Sequence, residues 1–133
     1  MVFFGRIVLL FLQTFNTILE LKMTQHIGFA GQLYPEQMTE VVAKGFKSVI
    51  NNRPDYEEGA QQPTTETMAA AAKAAGLEYV FQPVVSGQIT QVDVETFARY
   101  VNELPKPLLA FCRTGNRCNN LFQLAKQMDL LDD

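Results

Sequence analysis

Metal-binding side chains are scarce in this sequence, which has one histidine and two cysteines in 133 residues. A zinc-type site draws about four ligands from such residues, so neither a metal nor a cofactor is expected. Two cysteines six positions apart, Cys112 and Cys118, do not make a disulfide framework either. A reducing compartment, the cytoplasm, is the expected location. Positive charge is not in excess: 11 Lys and Arg against 14 Asp and Glu leave a net charge of −3. A nucleic-acid binder needs a basic face, so nucleic acid is not an expected partner. No repeat and no linker divides the chain, and its length suits one domain with its own core. With 47% hydrophobic and 19% charged residues, the composition is globular rather than disordered.

A long apolar run is also missing. Val2 to Phe4 and Ile7 to Leu12 are strongly apolar, with Arg6 between them, but Gln13, Thr14, Asn16, Thr17 and Glu20 interrupt the stretch. It falls short of the roughly 20 apolar residues of a membrane span. Its charged start and apolar middle fit a signal peptide, yet no small-residue cleavage site precedes Lys22. Residues 1–22 are therefore read as a leader of three open kinds: a gene-model extension with Met23 as the true start, an amphipathic anchor, or a signal. The first is preferred because domain-like patterning begins just after Met23; membrane contact is expected only if the leader is real.

What the sequence does contain, from residue 23 onward, is an alternation of strands and helices. Gln25 to Gly31 predicts a short strand with His26 as a surface residue. Pro35 suits a first helical position, and Met38, Val41 and Val42 recur at helical spacing up to Gly45. Phe46 to Asn51 predicts a second strand, closed by Arg53-Pro54-Asp55 and a polar loop from Tyr56 to Thr65. Thr64 or Thr65 should cap an alanine-rich helix ending at Gly76. Leu77 to Val85 predicts a third strand, interrupted at Pro83, and Thr90 should cap a helix over 91–103 with Val94, Phe97 and Val101 buried. A buried strand from Leu108 to Phe111 follows, then a last helix with Leu121, Phe122, Leu124, Ala125 and Met128 on its apolar face and a solvated acidic tail. This alternation indicates an α/β domain with a mostly parallel sheet of four to five strands flanked by helices.

The chemistry concentrates where the last strand ends. Cys112-Arg113-Thr114-Gly115-Asn116-Arg117-Cys118 joins that strand to a helix, and in parallel sheets ligands bind beyond the carboxyl ends of the strands. Loop amides and a helix N-terminus favour an anion. The same field, with Arg113 and Arg117 nearby, should lower the Cys112 thiol pKa and keep it ionised at neutral pH. Gly115 lets the backbone turn and approach a ligand. Cys112 is thus the candidate nucleophile, with Arg113, Thr114, Gly115, Asn116 and Arg117 as the anion-binding loop. Cys118 is either a resolving thiol or a buried helix residue, the latter preferred.

These motifs resemble those of a known family. Ala30-Gly31-Gln32, Ser48-Val49-Ile50-Asn51 followed by Arg53-Pro54-Asp55, Ala75-Gly76-Leu77, Pro83-Val84, Gly87 with Ile89-Thr90, and the Cys112 loop are similar to the phosphatase-like domain of the β-lactamase-hydrolase-like proteins. The resemblance implies a cysteine-phosphatase fold over residues 23–133 and a loop that binds an oxyanion. It also implies a partner, since members are fused to, or encoded beside, metallo-β-lactamase-like enzymes of persulfide metabolism, such as a persulfide dioxygenase. One spacing departs from cysteine phosphatases, which carry arginine six residues after the cysteine. Here the arginine comes one step early, at Arg117, as in the shorter loop of rhodanese-type sulfurtransferases.

Three functions are therefore open. In sulfur transfer, the preferred reading, Cys112 takes the outer sulfur of thiosulfate or a low-molecular-weight persulfide, and the leaving group needs no proton. In phosphoester hydrolysis Cys112 forms a cysteinyl-phosphate, Arg117 clamps the oxygens, and an acid must protonate an alkoxide. Asp55 is the first candidate for that acid and Asp93 the second, although a turn after proline and a helix first turn account for them equally well. The third reading is a non-catalytic anion-binding or redox-sensing module. All three take a small anionic ligand: thiosulfate, a persulfide or a phosphoester.

Overall fold

Four apolar residues in succession cannot all be covered from one side, so a strand made of them must lie inside a sheet with both faces packed. Leu108–Phe111 meets that condition: in the computed structural model, which describes residues 26–132, it forms the interior strand β4 with all four side chains fully buried. β1 (Ile27–Ala30), β2 (Ser48–Asn51) and β3 (Glu78–Phe81) complete a four-stranded sheet in the order β1-β4-β2-β3. Every pairing is parallel, and the register levels Ala30, Phe111, Asn51 and Phe81 in one row. The loops after these residues therefore open on the same end of the sheet.

Side-chain alternation along the strands divides the core in two. Ile27, Phe29, Ile50, Leu108 and Ala110 face α3 (Gln91–Glu103) and α4 (Asn116–Gln127), against Phe97, Val101, Leu121 and Phe122. Val49, Leu109 and Phe111 face the other way, onto Met38 and Val41 of α1 (Met38–Ala43) and Met68 and Ala72 of α2 (Thr65–Ala74). Small alanines in α2 let that helix lie close to the sheet. Each fully buried Leu or Phe in these layers contributes roughly 1.5–3 kcal/mol.

The helices begin where the sequence signals. Thr64 caps α2, its hydroxyl accepting from the Thr67 amide. Thr90 and Asp93 form a reciprocal capping box at the start of α3: the Asp93 amide donates to Thr90 Oγ1 at 3.1 Å, and the Thr90 amide to Asp93 Oδ2 at 2.9 Å. The strands are shorter than expected. β2 begins at Ser48 rather than Phe46, and β3 stops at Phe81, two residues before Pro83, which has no N–H to give a ladder. Pro35 starts a 3₁₀ turn (Pro35–Gln37) that leads into α1 rather than the α-helix itself. His26 is exposed but lies just ahead of β1, with φ 66°. The acidic tail is not wholly solvated: Leu130 and Leu131 pack against the α3–α4 side of the core, and Asn102 bonds to Leu130 and Asp132. The expected leader over residues 1–22 lies outside the described residues. Among those described, no helix is long and apolar enough to cross a membrane.

Candidate active site

The row of strand ends is drawn together by backbone contacts between successive loops. The Cys112 amide donates to Ala30 at 3.3 Å, Gln32 to Arg113 at 3.2 Å, and Asn52 to Phe111 at 2.9 Å. Glycine makes this closeness possible at two points. A Cβ on Gly115 would sit 3.3 Å from the Ala30 carbonyl, and Gly115 holds φ 91°, a conformation that L side chains rarely adopt. A Cβ on Gly31 would lie 3.2 Å from the Arg113 oxygen. The Cys112 loop is thus folded over the end of β1, and α4 begins directly behind it with Gly115 as its N-cap.

A cleft of about 450 Å³ opens on this loop. Cys112, Arg113, Thr114, Asn116 and Arg117 line it on one side, Glu57 and Glu58 on another. Ser86, Gly87 and Ile89, from the segment after β3, contribute a third wall. Cys112 is buried at the base, and its Sγ accepts from the Gly115 amide at 3.1 Å.

The Cys112 thiol is shifted down to about 5. The largest cause is a hydrogen bond from the Cys118 side chain; burial opposes it, and the amides of Cys118, Thr114 and Gly115 add to the lowering. Cys118 behaves in the opposite sense. Burial first, then its contact with the Cys112 sulfur, raise its pKa well above the ordinary thiol value, so it stays protonated as the donor. The loop amides lower the Cys112 pKa as expected, but the expected share of Arg113 and Arg117 is corrected: the neighbouring Cys118 thiol is the larger cause. Alkylation of Cys112 is expected to accelerate as pH rises through about 5 and then to level off. Cys118→Ala should move that midpoint upward, which a pH series of iodoacetamide rates in the two proteins measures.

Arg117 is held from three directions. Its Nη1 donates to the Val84 carbonyl at 2.9 Å and to Asn52 at 3.4 Å, and lies 3.1 Å from Glu57 Oε2. Its Nη2 donates to Glu57 Oε1 at 3.2 Å. Its Nε is buried without a partner, on a side chain only 7% exposed. Behind Glu57 stands a second buried arginine, Arg53, whose Nε donates to the same Oε1 at 2.9 Å. Arg53 Nη1 in turn donates to Gln32 at 2.8 Å. Burial pushes the Glu57 pKa up, but hydrogen bonds and charge from Arg117 and Arg53 outweigh it and hold the carboxyl below its usual value.

Arg113 points outward at the rim, 61% exposed, with Nη1 3.3 Å from Glu58 Oε1. Such an exposed pair contributes little. Thr114 and Asn116 are also exposed, the Asn116 amide donating to Thr114 Oγ1. The two candidate acids are not brought to the cleft. Asp55 Oδ1 accepts from the Thr65 amide at 2.8 Å, which closes the polar loop onto the start of α2. Asp93 is committed to the α3 cap. Neither lines the cleft.

Glu57 and Glu58 were not singled out in the sequence, where they read as part of a polar loop. The available signal was Arg53: an arginine closing a buried strand has to find a carboxylate, and Glu57 lies four residues on. Among the described residues no group of His, Cys, Asp and Glu could hold a metal ion.

Residues 20–129 match the family model described as the phosphatase-like domain of the beta-lactamase hydrolase-like protein. The Beta-lactamase hydrolase-like protein of Agrobacterium fabrum is 36% identical over 108 residues, and that of Xylella fastidiosa 33% over 107. These stretches are 81% and 80% of this chain but 25% of each relative, so the chain spans about a quarter of their length. Among solved structures, a candidate phosphatase of Neisseria meningitidis superposes with a TM-score of 0.74 at 34% identity, over 80% of this chain and 75% of that one. TpbA of P. aeruginosa, solved in complex with pTyr, superposes with a TM-score of 0.62 at 14% identity, over 85% and 65%, a likeness of fold. The fold is thus that of the cysteine phosphatases, with the thiolate loop at the carboxyl end of a parallel sheet. The chain belongs to the phosphatase-like domain family of the β-lactamase-hydrolase-like proteins.

Proposed function

We propose that this domain is a cysteine-dependent phosphoester hydrolase. The observation that carries the reading is the state of Arg117 beside the Cys112 thiolate. Glu57 and two main-chain carbonyls take up Nη1 and one side of Nη2, while Nε is buried without a partner. A buried donor on a cation is costly to leave without a hydrogen-bond partner, and an oxyanion entering the cleft would supply one. The Nε and outer Nη2 hydrogens form a fork of the kind that binds two oxygens of one phosphoryl group. The phosphatase neighbours support the same reading, and TpbA bound to pTyr supports a small anionic substrate.

In the first step the Cys112 Sγ lone pair attacks phosphorus, the ester P–O bond breaks, and its electron pair leaves with the oxygen. Arg117 balances charge on the equatorial oxygens. In the second step water attacks the cysteinyl-phosphate, the S–P bond breaks, and the thiolate returns with phosphate released.

Glu57 is held ionised between Arg117 and Arg53 and so has no proton for the leaving oxygen. Glu58 is engaged by Arg113, and Asp55 and Asp93 do not line the cleft. The rate should therefore depend steeply on the leaving group. A nitrophenyl phosphate is expected to turn over about 100-fold or more faster than an alkyl phosphate, the factor a general acid would otherwise supply. Equal rates on the two esters, each dependent on Cys112, would contradict an unassisted departure.

Sulfur transfer is the second reading. It is favoured by the arginine five rather than six residues after Cys112, and by Asp55 and Asp93 lying away from the cleft, since its leaving group needs no proton. Thiocyanate formation from thiosulfate and cyanide tests it. The partner we propose is a metallo-β-lactamase-like persulfide dioxygenase; the relatives' name supports it, as does their length beyond the matched quarter.

A further inference from the structure

We infer that Glu57, anchored by Arg53, is the positioning residue that fixes which edge of Arg117 meets the bound oxyanion. The inference rests on the hydrolase reading above and adds a residue to its machinery.

A guanidinium offers an anion either its end, Nη1 with Nη2, or its side, Nε with Nη2. The end of Arg117 is already taken. Glu57 straddles it, with Oε2 3.1 Å from Nη1 and Oε1 3.2 Å from Nη2. Only the side edge is left, and its Nε is the buried donor without a partner. Were Glu57 absent, the Val84 and Asn52 carbonyls would still hold Nη1, but Nη2 would lose its anchor and the guanidinium plane could tilt away from the ligand.

Glu57 can hold Arg117 only if it is itself held. Its loop is otherwise exposed, yet its side chain is 23% exposed and shares Oε1 with Arg53 Nε at 2.9 Å. Arg53, 5% exposed in its side chain, is tied through Nη1 to Gln32, the residue after the Gly31 that passes under Arg113. Its own amide donates to Asn51 Oδ1 at the end of β2. The chain of contacts thus runs from the ends of β1 and β2 through Arg53 and Glu57 to Arg117 in α4. Two buried cations around one carboxylate also keep that carboxylate ionised, as its lowered pKa indicates.

Arg53 provides a test at one remove, because it does not line the cleft. It acts on a ligand through the carboxylates it holds, Glu57 at 2.9 Å and the exposed Glu58 at 3.4 Å. Glu58→Gln, run beside it, should leave phosphate affinity within about twofold. Glu57→Gln, Glu57→Ala and Arg53→Gln would be compared with the unmodified protein. Three quantities are read: inorganic phosphate affinity by calorimetry, kcat and KM on nitrophenyl phosphate per titrated Cys112 thiol, and the pH midpoint of Cys112 alkylation. Phosphate affinity and kcat/KM per thiol should fall about 10-fold or more in Glu57→Ala and less in Glu57→Gln, which keeps one acceptor oxygen. Arg53→Gln should follow in the same direction, while the alkylation midpoint stays in place in all three. Phosphate affinity and kcat/KM per thiol within about twofold of the unmodified protein in all three variants would overturn the assignment. Titrating the thiol with iodoacetamide at about pH 6, where only a thiolate of lowered pKa reacts quickly, counts folded sites and removes any loss from a misfolded fraction. If the unmodified protein binds phosphate but does not hydrolyse the ester, the hydrolase reading fails and the affinity ratios alone decide the role of Glu57.

Discussion

Cys112→Ser is expected to leave less than about a thousandth of the nitrophenyl phosphate activity, in keeping with the loss when a covalent nucleophile is removed. The reason lies in the ionisation of the sulfur. At neutral pH Cys112 lies two units above a pKa of about 5 and is almost entirely thiolate. A serine hydroxyl in the same place stays protonated, and among the described residues the two carboxylates that line the cleft are both engaged by arginines. The donors from Cys118 and from the Thr114 and Gly115 amides are arranged to receive a negative charge, which serine does not supply. The fold should survive, since the replacement is smaller and the hydroxyl can accept the Gly115 amide. Steady-state rates with an unchanged circular-dichroism spectrum check both halves of the expectation.

Arg117→Ala should have the second large effect, and it should act on binding and on stability together. Phosphate loses its fork, and the transition state loses the cation facing its equatorial oxygens, which amounts to about 10²–10³ in kcat for a single preorganised donor. The stability loss has a different origin. Glu57 would keep Arg53 but lose its other cation, and the carbonyls of Asn52 and Val84 would lose the donor they share. Breaking a fully buried ion pair from one side typically costs about 3–5 kcal/mol, and the part-exposed Glu57 side chain makes the loss here smaller. Arg117→Lys separates the two: it keeps a charge near Glu57 but has no planar fork. It should recover part of the unfolding free energy in urea while leaving kcat/KM close to the alanine variant. Full recovery of both would mean that Arg117 acts as a point charge alone.

Much of this was legible in the sequence because it follows from local rules. Leu108-Leu109-Ala110-Phe111 has no polar alternation, and a strand without alternation is interior. Thr90 and Asp93, three apart before an apolar stripe, specify a helix start, and α3 occupies residues 91–103 as expected. Cys112 through Arg117 shows a thiolate and two arginines at a strand-to-helix junction, which is enough to suspect an anion site. The strand ends were less legible, since Phe46 and Leu77 are apolar and buried yet lie beyond the ladder.

The parts of the site that escaped the sequence are those set by tertiary contact. Nothing in the string of residues 51–65 says that Glu57 folds back onto Arg117, 60 positions away, while Asp55, two residues earlier, turns to the Thr65 amide. Likewise Cys118 reads as an ordinary buried helix residue until α4 brings it against Cys112, where burial and the neighbouring sulfur make it a hydrogen-bond donor rather than a second thiolate. The preference for sulfur transfer rested on the position of one arginine and on the lack of an established acid. Asp55 and Asp93 do lie away from the cleft, while the family and its phosphatase neighbour weigh on the other side.

The measurement closest to the central claim is the mass of the covalent intermediate. The protein would be mixed with nitrophenyl phosphate, quenched in acid within one turnover, and its Cys112 peptide weighed, with thiosulfate in a parallel sample. A phosphoryl group on Cys112 in the first sample and an unmodified peptide in the second is the result expected of a phosphoester hydrolase. One added sulfur atom from thiosulfate, with no phosphoryl group from the ester, would contradict it.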